Sequence, residues 1–561
     1  MKYLIIGGVA GGASTAARLR RMDEHAEIIM FEKGAYVSYA NCGLPYYIGD
    51  VIKERDSLFV QTAAGFKDRF NIDVRTSTEV TAIDRAKKII VARNLITGEE
   101  YTENYDKLVL SPGAEPIRPP LPGIDLPGIF TLRNVPDTDA IKSFAQKQSN
   151  GKAVVIGGGF IGLEMAENLH HLGMNVTVVE MANQIMAPVD FPIAAIIQQH
   201  IRSKGVNLLL NTTVRGFEQK DNRLSVNFSD GSTAEADLVI LSIGVRPDTK
   251  LAVDAGIEIG KAKGIWVNEH LQTSDPDIYA VGDAIEFENP IISRPLNTYL
   301  AGPANKQGRI CADNIALGNK RVYKGAINTA IVKVFDYTVG ATGMAAKHLK
   351  HFDIPHLVST TRSASHAGYY PDAQQMTMQI TFSPASGKLL GAQVTGIEGV
   401  DKRVDVLATI IQKGGTIYDL TEIEHAYAPP YSSAKDPVNM AGFVAENLLH
   451  RHFEVIYWDR FLEAYQSDSN AMLIDVRTAN EYANKTIPDA INIPIDELRS
   501  RLDEVPGDKT IYLFCQIGLR GYLAQRILRQ HGYKNLFNLS GGFALWDVAN
   551  MELELGKKKG E

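Results

Sequence analysis

Residues Ala153-Val-Val-Ile-Gly-Gly-Gly-Phe-Ile-Gly-Leu-Glu164, with the second apolar strand Val176–Glu180 that follows them, are the clearest indication of the fold. β-Branched residues running into glycines predict a strand, a tight turn and a helix, which is a βαβ unit. Such a unit binds a dinucleotide when glycines admit the pyrophosphate and an acid ~20 residues on accepts the ribose hydroxyls. Because an acid repels a 2′-phosphate, NADH is favoured over NADPH. The residues that meet these requirements are Gly157, Gly159, Gly162 and Glu180.

The same unit occurs at the N-terminus, where Tyr3–Gly8 reads Tyr-Leu-Ile-Ile-Gly-Gly. A predicted helix over 13–22 and a second strand ending at Glu32 complete it. The turn residues at the three glycine positions are Gly7, Val9 and Gly12. Since one of these is valine, we expect the phosphate to lie differently here. Glu32 is predicted to bind the adenosine ribose, with Lys33 beside it, and the two copies imply two dinucleotide sites.

Length and composition narrow the class of protein. A chain of 561 residues exceeds the ~250 to 300 residues of one hydrophobic core, so at least three domains are expected. A net charge of -7 lacks the basic excess of nucleic-acid binders, and no stretch approaches the ~20 apolar residues of a membrane span. The three cysteines form no disulfide framework or zinc motif, so we expect a cytoplasmic protein that uses single thiols and no metal.

A third segment, Thr273–Ala284, predicts a strand ending in Gly282-Asp283. With the two βαβ units it resembles the flavoprotein reductases of the pyridine nucleotide-disulfide type over roughly residues 1–445. The resemblance implies that Asp283 holds the ribityl chain and pyrophosphate of FAD. It also implies an FAD domain at 1–113 and 245–322, an NAD(P)H domain at 114–244 and a dimerisation domain at 323–448, and a separate domain at 455–555 is expected after them.

One cysteine lies close behind the first dinucleotide site, in Ser38-Tyr-Ala-Asn-Cys-Gly-Leu-Pro45. The thiol of Cys42 precedes a possible helix start, where amides favour a thiolate. The segment resembles the active site of coenzyme A-disulfide reductases and of NADH oxidases and peroxidases, which use a single redox cysteine. With one thiol, the oxidised enzyme holds a mixed disulfide, a persulfide or a sulfenic acid.

Two further features favour a substrate of the coenzyme A kind. The helix after Gly12 carries a cationic face, and the resemblance implies coenzyme A contacts at Ser14, Arg18, Arg21, Ser38 and Asn41. Asn305 falls near the sequence position at which a histidine contacts coenzyme A in relatives. The resemblance also implies that residues matching Tyr369, Tyr427 and Lys435 reach into the partner subunit's active site, so a homodimer is expected. Phenol hydroxyls can donate to a leaving thiolate.

The C-terminal 455–555 alternates short apolar strands with helical stretches, which predicts a small α/β domain. It resembles rhodanese, with Asp475-Val-Arg477 and the loop Cys515-Gln-Ile-Gly-Leu-Arg520. Amides of that loop and Arg520 are expected to stabilise the sulfur of Cys515, which the resemblance implies carries a transferable persulfide. The usual Gly-His is replaced by Lys485-Thr486.

The sequence therefore predicts an α/β protein with two Rossmann-like domains, an α+β dimerisation domain and a rhodanese-like domain. The favoured function is FAD-dependent, NAD(P)H-driven reduction of coenzyme A persulfide, polysulfide or coenzyme A disulfide, releasing sulfide or thiol. One alternative is an NADH peroxidase or oxidase cycling through sulfenic acid at Cys42. Another is a redox-sensing flavoprotein without appreciable turnover. Whether sulfur passes directly between Cys42 and Cys515 is left open.

Overall fold

The structure is a computed structural model that describes residues 1–148, 150–221 and 223–557. Its contacts divide the chain into two units. Unit 1 comprises Met1–Met181 and Thr212–Asn328, and unit 2 comprises Ala182–Asn211 and Thr329–Glu561. Among the described residues, no helix has both the length and the apolar character needed to cross a bilayer.

The strands are, in chain order, β1 Lys2–Ile6, β2 Glu27–Phe31, β3 Asp73–Arg75, β4 Thr78–Asp84, β5 Ile89–Asn94, β6 Glu100–Asn104, β7 Lys107–Leu110, β8 Ala114–Pro116, β9 Ile129–Thr131, β10 Lys152–Ile156, β11 Asn175–Val179, β12 Asn207–Leu209, β13 Val214–Lys220, β14 Arg223–Phe228, β15 Thr233–Ala236, β16 Leu238–Leu241, β17 Val245–Pro247, β18 Ile265–Trp266, β19 Ile278–Ala280, β20 Ile285–Asn289, β21 Arg294–Leu296, β22 Ala330–Val334, β23 Tyr337–Gly343, β24 Leu357–Ala364, β25 Gln375–Phe382, β26 Leu389–Gly396, β27 Val455–Ile456, β28 Ala471–Asp475, β29 Ile491–Asn492, β30 Thr510–Phe514 and β31 Leu536–Leu539.

The α-helices are α1 Ala10–Met22, α2 Leu44–Ile48, α3 Ala63–Phe70, α4 Val135–Gln146, α5 Phe160–His171, α6 Phe191–Ser203, α7 Lys250–Asp254, α8 Ala301–Leu317, α9 Ala346–His351, α10 Val400–Lys413, α11 Ile417–Glu422, α12 Pro437–Leu449, α13 Trp458–Ser467, α14 Ala479–Asn484, α15 Leu519–Gln530 and α16 Gly542–Lys557.

In unit 1 the N-terminal βαβ unit lies in a parallel sheet of order β19-β7-β1-β2-β3. Ile5 of β1 pairs with Met30 on one side and Val109 on the other, and all three are buried. Strands covered on both faces need such continuous apolar runs. Helix α1 packs against α8, and β1 ends immediately before Gly7.

The second βαβ unit repeats this arrangement in the order β11-β10-β16-β9, again with parallel strands. Val155 of β10 pairs with Val178 and Ile240, as Ile5 does with its two neighbours in the first copy. Small antiparallel sheets, β4-β5-β6 and β13-β14-β15, accompany the two units. The prediction of two Rossmann-like copies is confirmed.

Unit 2 contains an antiparallel sheet of order β22-β23-β26-β25-β24, against which α10 packs. The C-terminal part forms a second sheet, β27-β31-β30-β28-β29, with parallel pairing throughout. Its core includes Phe461, Phe514 and Trp546. The predicted fold class is confirmed, and the exact domain boundaries stay predictions.

Candidate active sites

A cavity of about 1090 Å³ lies in unit 1 at the carboxyl ends of the first sheet, where ligands bind in parallel α/β folds. Glu32 lines it, and its carboxylate accepts hydrogen bonds from the amides of Gly8 at 2.8 Å and Gly34 at 2.7 Å. Burial raises the pKa of Glu32, although both amides oppose that shift. Lys33 also lines the cavity and forms an ion pair with Glu79 at 2.8 Å.

The turn before α1 has no room for side chains at two glycines. Gly7 has φ +98°, and a Cβ on Gly12 would lie 1.9 Å from the Gly7 carbonyl oxygen. Val9 is the N-cap residue of α1 and lines the cavity. This close approach of backbone to an open cavity fits the pyrophosphate of a dinucleotide.

Asp283 and Arg133 face the same cavity from different segments. Burial raises the pKa of Asp283 to about 6, and the charge of Arg133 lowers it. Gly282 has φ +83°, and its amide donates to the Gln307 side chain at 2.7 Å. Arg133 was not predicted from the sequence, because it lies in no glycine motif and meets Asp283 only through the fold.

The second dinucleotide site reproduces the geometry of the first. The amide of Gly158 donates to the Glu180 carboxylate at 2.8 Å, as Gly8 does to Glu32. Gly157 has φ +106°, and a Cβ on Gly162 would lie 2.0 Å from the Gly157 carbonyl oxygen. A Cβ on Gly159 would meet nothing within 4 Å among the described residues, so this glycine borders open space at the start of α5. An adenine dinucleotide fits such a helix start.

Cys42 lies in a short 3-10 turn, Asn41–Gly43, that leads into α2, so the predicted helix start is confirmed. The residue is exposed, and its neighbour Asn41 lines the same cavity as Glu32. Partial burial and then the charges of Glu164 and Asp283 raise the pKa of the Cys42 thiol. The surrounding acids thus oppose the thiolate that the helix start was expected to favour.

Glu164 is a candidate functional residue that the sequence did not predict. It follows Gly162 by two residues on α5, and the Tyr46 hydroxyl on α2 donates to it at 3.1 Å. Burial raises the pKa of Glu164 to about 7, a value suited to proton transfer near neutral pH. The sequence does show an acid shortly after the glycines of the second turn. Its proximity to Cys42, however, depends on the packing of α2 against α5.

The predicted coenzyme A residues of unit 1 fall into two groups. Ser14 on α1 hydrogen bonds to Asn305 on α8, so these two predicted contacts are adjacent. Arg18 is engaged with the buried Asp313 at 2.7 Å, and Arg21 donates to the Ala17 carbonyl at 3.1 Å. The second group lies in the loop after β2, where Ser38, with φ +48°, donates its amide to the Gly8 carbonyl at 2.8 Å and Asn41 follows.

In unit 2, Tyr369 and Tyr427 hydrogen bond to each other through their hydroxyls at 2.8 Å. The rings are 76% and 48% exposed, which is unusual for two adjacent aromatic side chains. This hydrogen bond raises the pKa of Tyr369. Lys435 is exposed in the same unit. Two loops distant in sequence thus present a paired phenol at the surface of this unit.

The loop of Cys515 joins β30 to α15. The sulfur is buried and accepts a hydrogen bond from the Gly518 amide at 3.1 Å, a contact that requires φ +101° at Gly518. The Phe543 amide at the start of α16 donates to the Cys515 carbonyl at 2.8 Å. Glycine at 518 is needed because side-chain-bearing residues rarely adopt this conformation.

Charged side chains surround this loop. Arg520 donates twice to Glu481 at 2.7 Å, which lowers the pKa of Glu481 to about 2. The same pair raises the pKa of Arg520, with a further contribution from Cys515. Arg477 and Asp475 form a buried ion pair at 2.7 Å. Thr486 is one of the two residues that replace the usual Gly-His of rhodanese, and its hydroxyl donates to Asp475 at 2.9 Å.

These sites define a flavin- and nicotinamide-dependent oxidoreductase joined to a rhodanese-like sulfur-transfer domain. The chain belongs to the pyridine nucleotide-disulphide oxidoreductase family, whose profile matches residues 1–308. The dimerisation domain of that family matches 329–437, and the rhodanese-like domain matches 459–549. FAD and NAD are the cofactors of this family. The two sites described above, each with a glycine turn and a carboxylate, fit these two dinucleotides.

Relatives of known name cover most or all of the chain. A coenzyme A disulfide reductase of Staphylococcus haemolyticus is 38% identical over 80% of this chain and 100% of its own length. The crystal structure of reduced Bacillus anthracis CoADR-RHD is 48% identical, covers 98% of both chains and superposes with a TM-score of 0.96. An NAD-dependent persulfide reductase from A. fulgidus is 40% identical, covers 97% of this chain and 100% of its own, and gives a TM-score of 0.91.

Proposed function

We propose that this protein uses NADH to reduce coenzyme A persulfide, with polysulfide and coenzyme A disulfide as related substrates. The observation that carries the proposal is that Cys42 is the one exposed cysteine among the described residues of unit 1. The chain has three cysteines, of which Cys311 is fully buried on α8 and Cys515 belongs to unit 2. A lone redox thiol needs an external sulfur or oxygen as its partner in the oxidised state.

The sulfur chemistry balances with one thiol. The Cys42 thiolate attacks the sulfur bonded to coenzyme A, breaks the S–S bond of the persulfide and releases HS⁻. The mixed disulfide between Cys42 and coenzyme A then takes up two electrons and one proton, the equivalent of one hydride from NADH. This step releases coenzyme A as its thiol and restores the Cys42 thiolate.

FAD, when bound in the unit 1 cavity, supplies the transfer of electrons from the nicotinamide to the disulfide. The residues that would hold it are Gly7, Gly12, Glu32, Lys33, Gly282 and Asp283. The residues that would hold NADH are Gly157, Gly159, Gly162 and Glu180. The carboxylates at the ends of β2 and β11 would bind the two adenosine riboses, since each already accepts an amide of its own turn.

Residues of α1 and of the loop before Cys42 would bind coenzyme A. Arg18 and Arg21 supply positive charge for its phosphates, and Ser14 with Asn305 supplies hydrogen-bonding groups. Ser38 and Asn41 precede the reactive sulfur and would orient the end of the substrate that carries the S–S bond. The buried Asp313 fixes the guanidinium of Arg18 and so pre-orients it.

We further propose a homodimer in which Tyr369, Tyr427 and Lys435 complete the partner subunit's site. The match to the family's dimerisation domain supports this arrangement, and so does the exposed tyrosine pair. A phenol hydroxyl donates to a leaving thiolate, which stabilises the charge that develops as the S–S bond breaks. A reducing compartment suits two free reactive thiols, so we assign the protein to the cytoplasm.

The rhodanese-like domain would collect or deliver sulfane sulfur on Cys515. The Gly518 amide and Arg520 stabilise negative charge at this sulfur, which favours a thiolate or persulfide. A plain disulfide reductase has no sulfur atom to relay, so the fused domain favours persulfide over disulfide as the main substrate. The persulfide reductase from A. fulgidus, which covers 97% of this chain, supports the same reading, and the similarity to CoADR-RHD supports the coenzyme A part of it.

The mass of the Cys42 peptide tests the proposal. Protein treated with coenzyme A persulfide in the absence of NADH should carry a coenzyme A adduct on Cys42, and NADH should remove it. Sulfenic acid on Cys42 without any adduct would contradict the proposal and support the peroxidase alternative. That alternative leaves Cys515 without a role, and we do not favour it.

A further inference from the structure

A second cavity, of about 370 Å³, lies within unit 2. It is bordered by α6, by one face of the antiparallel sheet and by the first turns of α16, with Gln199, Thr377 and Leu545 as respective examples. Neither the flavin chemistry nor the sulfur-transfer loop uses its lining side chains. The cavity therefore needs an explanation of its own.

Three polar residues form a row across the sheet at this cavity. Arg362 of β24 pairs with Thr377 of β25, and Thr377 pairs with Thr395 of β26. Directly paired residues of antiparallel strands project to the same face, so these three side chains are neighbours. All three line the cavity, which places one cation and two hydroxyls on its sheet side.

The Thr395 hydroxyl is the first sign of a missing ligand. The residue is 1% exposed, and its hydroxyl has no hydrogen-bond partner among the residues that the structure describes. Burying a hydroxyl without a partner is unfavourable, so native proteins rarely leave one unpaired. Thr395 lines the cavity while its hydroxyl oxygen is closed to solvent, so a group bound there would supply the partner once the side chain turns about its Cα–Cβ bond.

The second sign is the charge of the lining. The guanidinium of Arg362 has no carboxylate partner in the described part of the chain, and the described residues around the cavity include no Asp or Glu. Two buried acids near α6 are already engaged. Asp190 accepts from Gln393 at 2.7 Å, and Glu552 accepts from Gln198 at 2.9 Å. With one arginine, several hydroxyl and amide groups and no carboxylate, the described lining favours an anion over a metal ion.

We propose that this cavity binds a tetrahedral oxyanion of the phosphate and sulfate class. Arg362 provides the planar fork that matches two oxygens of such an anion, and the Thr395 hydroxyl donates to a third. The volume exceeds that of a bare anion, so it also admits waters or a small substituent. Thiosulfate shares this oxyanion chemistry and is distinguished from phosphate only by experiment.

The position of the cavity connects it to the sulfur-transfer loop. Leu545 lines it from α16, while Phe543 at the start of the same helix donates its amide to the Cys515 carbonyl at 2.8 Å. A bound anion would therefore contact the helix that supports the Cys515 loop. This link does not depend on the identity of the substrate at Cys42.

Calorimetric titration of the full-length, FAD-loaded protein tests the site. Saturating NAD⁺ fills the nucleotide sites, and phosphate, sulfate and thiosulfate are titrated separately at constant ionic strength. We expect saturable binding of at least one anion, weakened at least about tenfold by Arg362→Gln. Lys388→Gln, which removes an exposed positive charge from the same unit, should bind as the wild type does.

Thr395→Val gives a second, independent readout. Without anion the variant should unfold at or above the wild-type temperature, because it removes an unpartnered buried hydroxyl. With anion its gain in unfolding temperature should be smaller than that of the wild type. The proposal is overturned if the wild type binds none of the three anions, or if Arg362→Gln binds them with unchanged affinity. If Arg362→Gln does not fold, Thr395→Val decides the outcome. The proposal is then overturned if anion raises the unfolding temperature of Thr395→Val as much as that of the wild type.

Discussion

Arg403 and Asp436 form an ion pair in unit 2 with a nitrogen–oxygen distance of 2.8 Å, and both side chains are almost completely buried. Arg403 also donates to the Ser365 carbonyl at 2.9 Å, and the Ser432 hydroxyl donates to Asp436 at 2.6 Å. One pair of charges thus joins two loops that are far apart in the sequence.

Those two loops carry the tyrosine pair. Tyr369 lies four residues after Ser365, and Tyr427 lies five residues before Ser432. The Ala367 amide donates to the Ser432 carbonyl at 3.0 Å, which adds a backbone link. We infer that Arg403 is a positioning residue, which holds the two phenols together without contacting substrate.

Arg403→Met should leave the Asp436 charge buried and unpaired, which costs about 3–5 kcal/mol of unfolding free energy. The unfolding temperature should fall, and kcat should decrease while the affinity for NADH is unchanged. Arg460→Met is the matched control, since its ion pair with Glu463 is exposed and should contribute at most about 1 kcal/mol. Equal stability losses in both variants would contradict this account.

The carboxyl of Glu164 should control the ionisation of Cys42. The pKa of Glu164 is raised to about 7, so its negative charge develops as the pH rises through neutrality and opposes the thiolate. Glu164→Gln removes the charge but keeps an acceptor for Tyr46. Alkylation of Cys42 below its thiol pKa should therefore accelerate, roughly threefold or more.

Tyr46→Phe is the control for this prediction, because it keeps the Glu164 carboxyl while removing the hydrogen bond of 3.1 Å. That hydrogen bond lowers the pKa of Glu164, so the carboxylate of this variant forms at higher pH than in the wild type. Once it has formed, alkylation of Cys42 should be as slow as in the wild type, whereas Glu164→Gln stays faster. A Glu164→Gln profile identical to the wild-type profile would show that the carboxylate does not influence the thiol.

Glu180 should set the choice of nicotinamide cofactor. Its carboxylate accepts the Gly158 amide at 2.8 Å, a position from which we expect it to bind the ribose hydroxyls of NADH and repel a 2′-phosphate. Glu180→Ser should raise kcat/KM for NADPH at least about tenfold relative to that for NADH. Steady-state rates with both cofactors measure the ratio, and an unchanged ratio would assign the preference to other residues.

Cys515 should be needed for sulfane sulfur transfer but not for the NADH-driven reduction of disulfides. Cys515→Ala should abolish sulfane sulfur transfer while NADH-driven reduction of coenzyme A disulfide continues at the wild-type rate. Cys311→Ala, at the buried cysteine of α8, should affect neither reaction. Loss of both reactions in Cys515→Ala would show that the two halves of the protein are obligately coupled.

Local patterns predict the parts of this protein that depend on residues close in sequence. The glycine turns, their terminal acids Glu32 and Glu180, and the Cys515 loop lie within short βα or βαβ segments, where spacing alone determines geometry. Glu164 meets the Cys42 region across more than a hundred residues, and Arg403 meets Asp436 through packing of α10 against the loops. Neither contact has a periodicity or spacing that a single sequence displays.

The sequence likewise did not predict that the groups around Cys42 disfavour its thiolate. A helix start after the thiol was correctly predicted, but partial burial, followed by the charges of Glu164 on α5 and Asp283 after β19, raises the pKa of the thiol. Long-range placement of charge follows from the tertiary fold, whereas helix starts follow from local residues.

The most direct test of the central claim is NADH-driven release of sulfide from coenzyme A persulfide by Cys42→Ser. The account predicts that the variant keeps bound FAD and binds NADH, yet releases no sulfide above the uncatalysed rate. Sustained sulfide release by Cys42→Ser, at a rate comparable to that of the wild type, would contradict it.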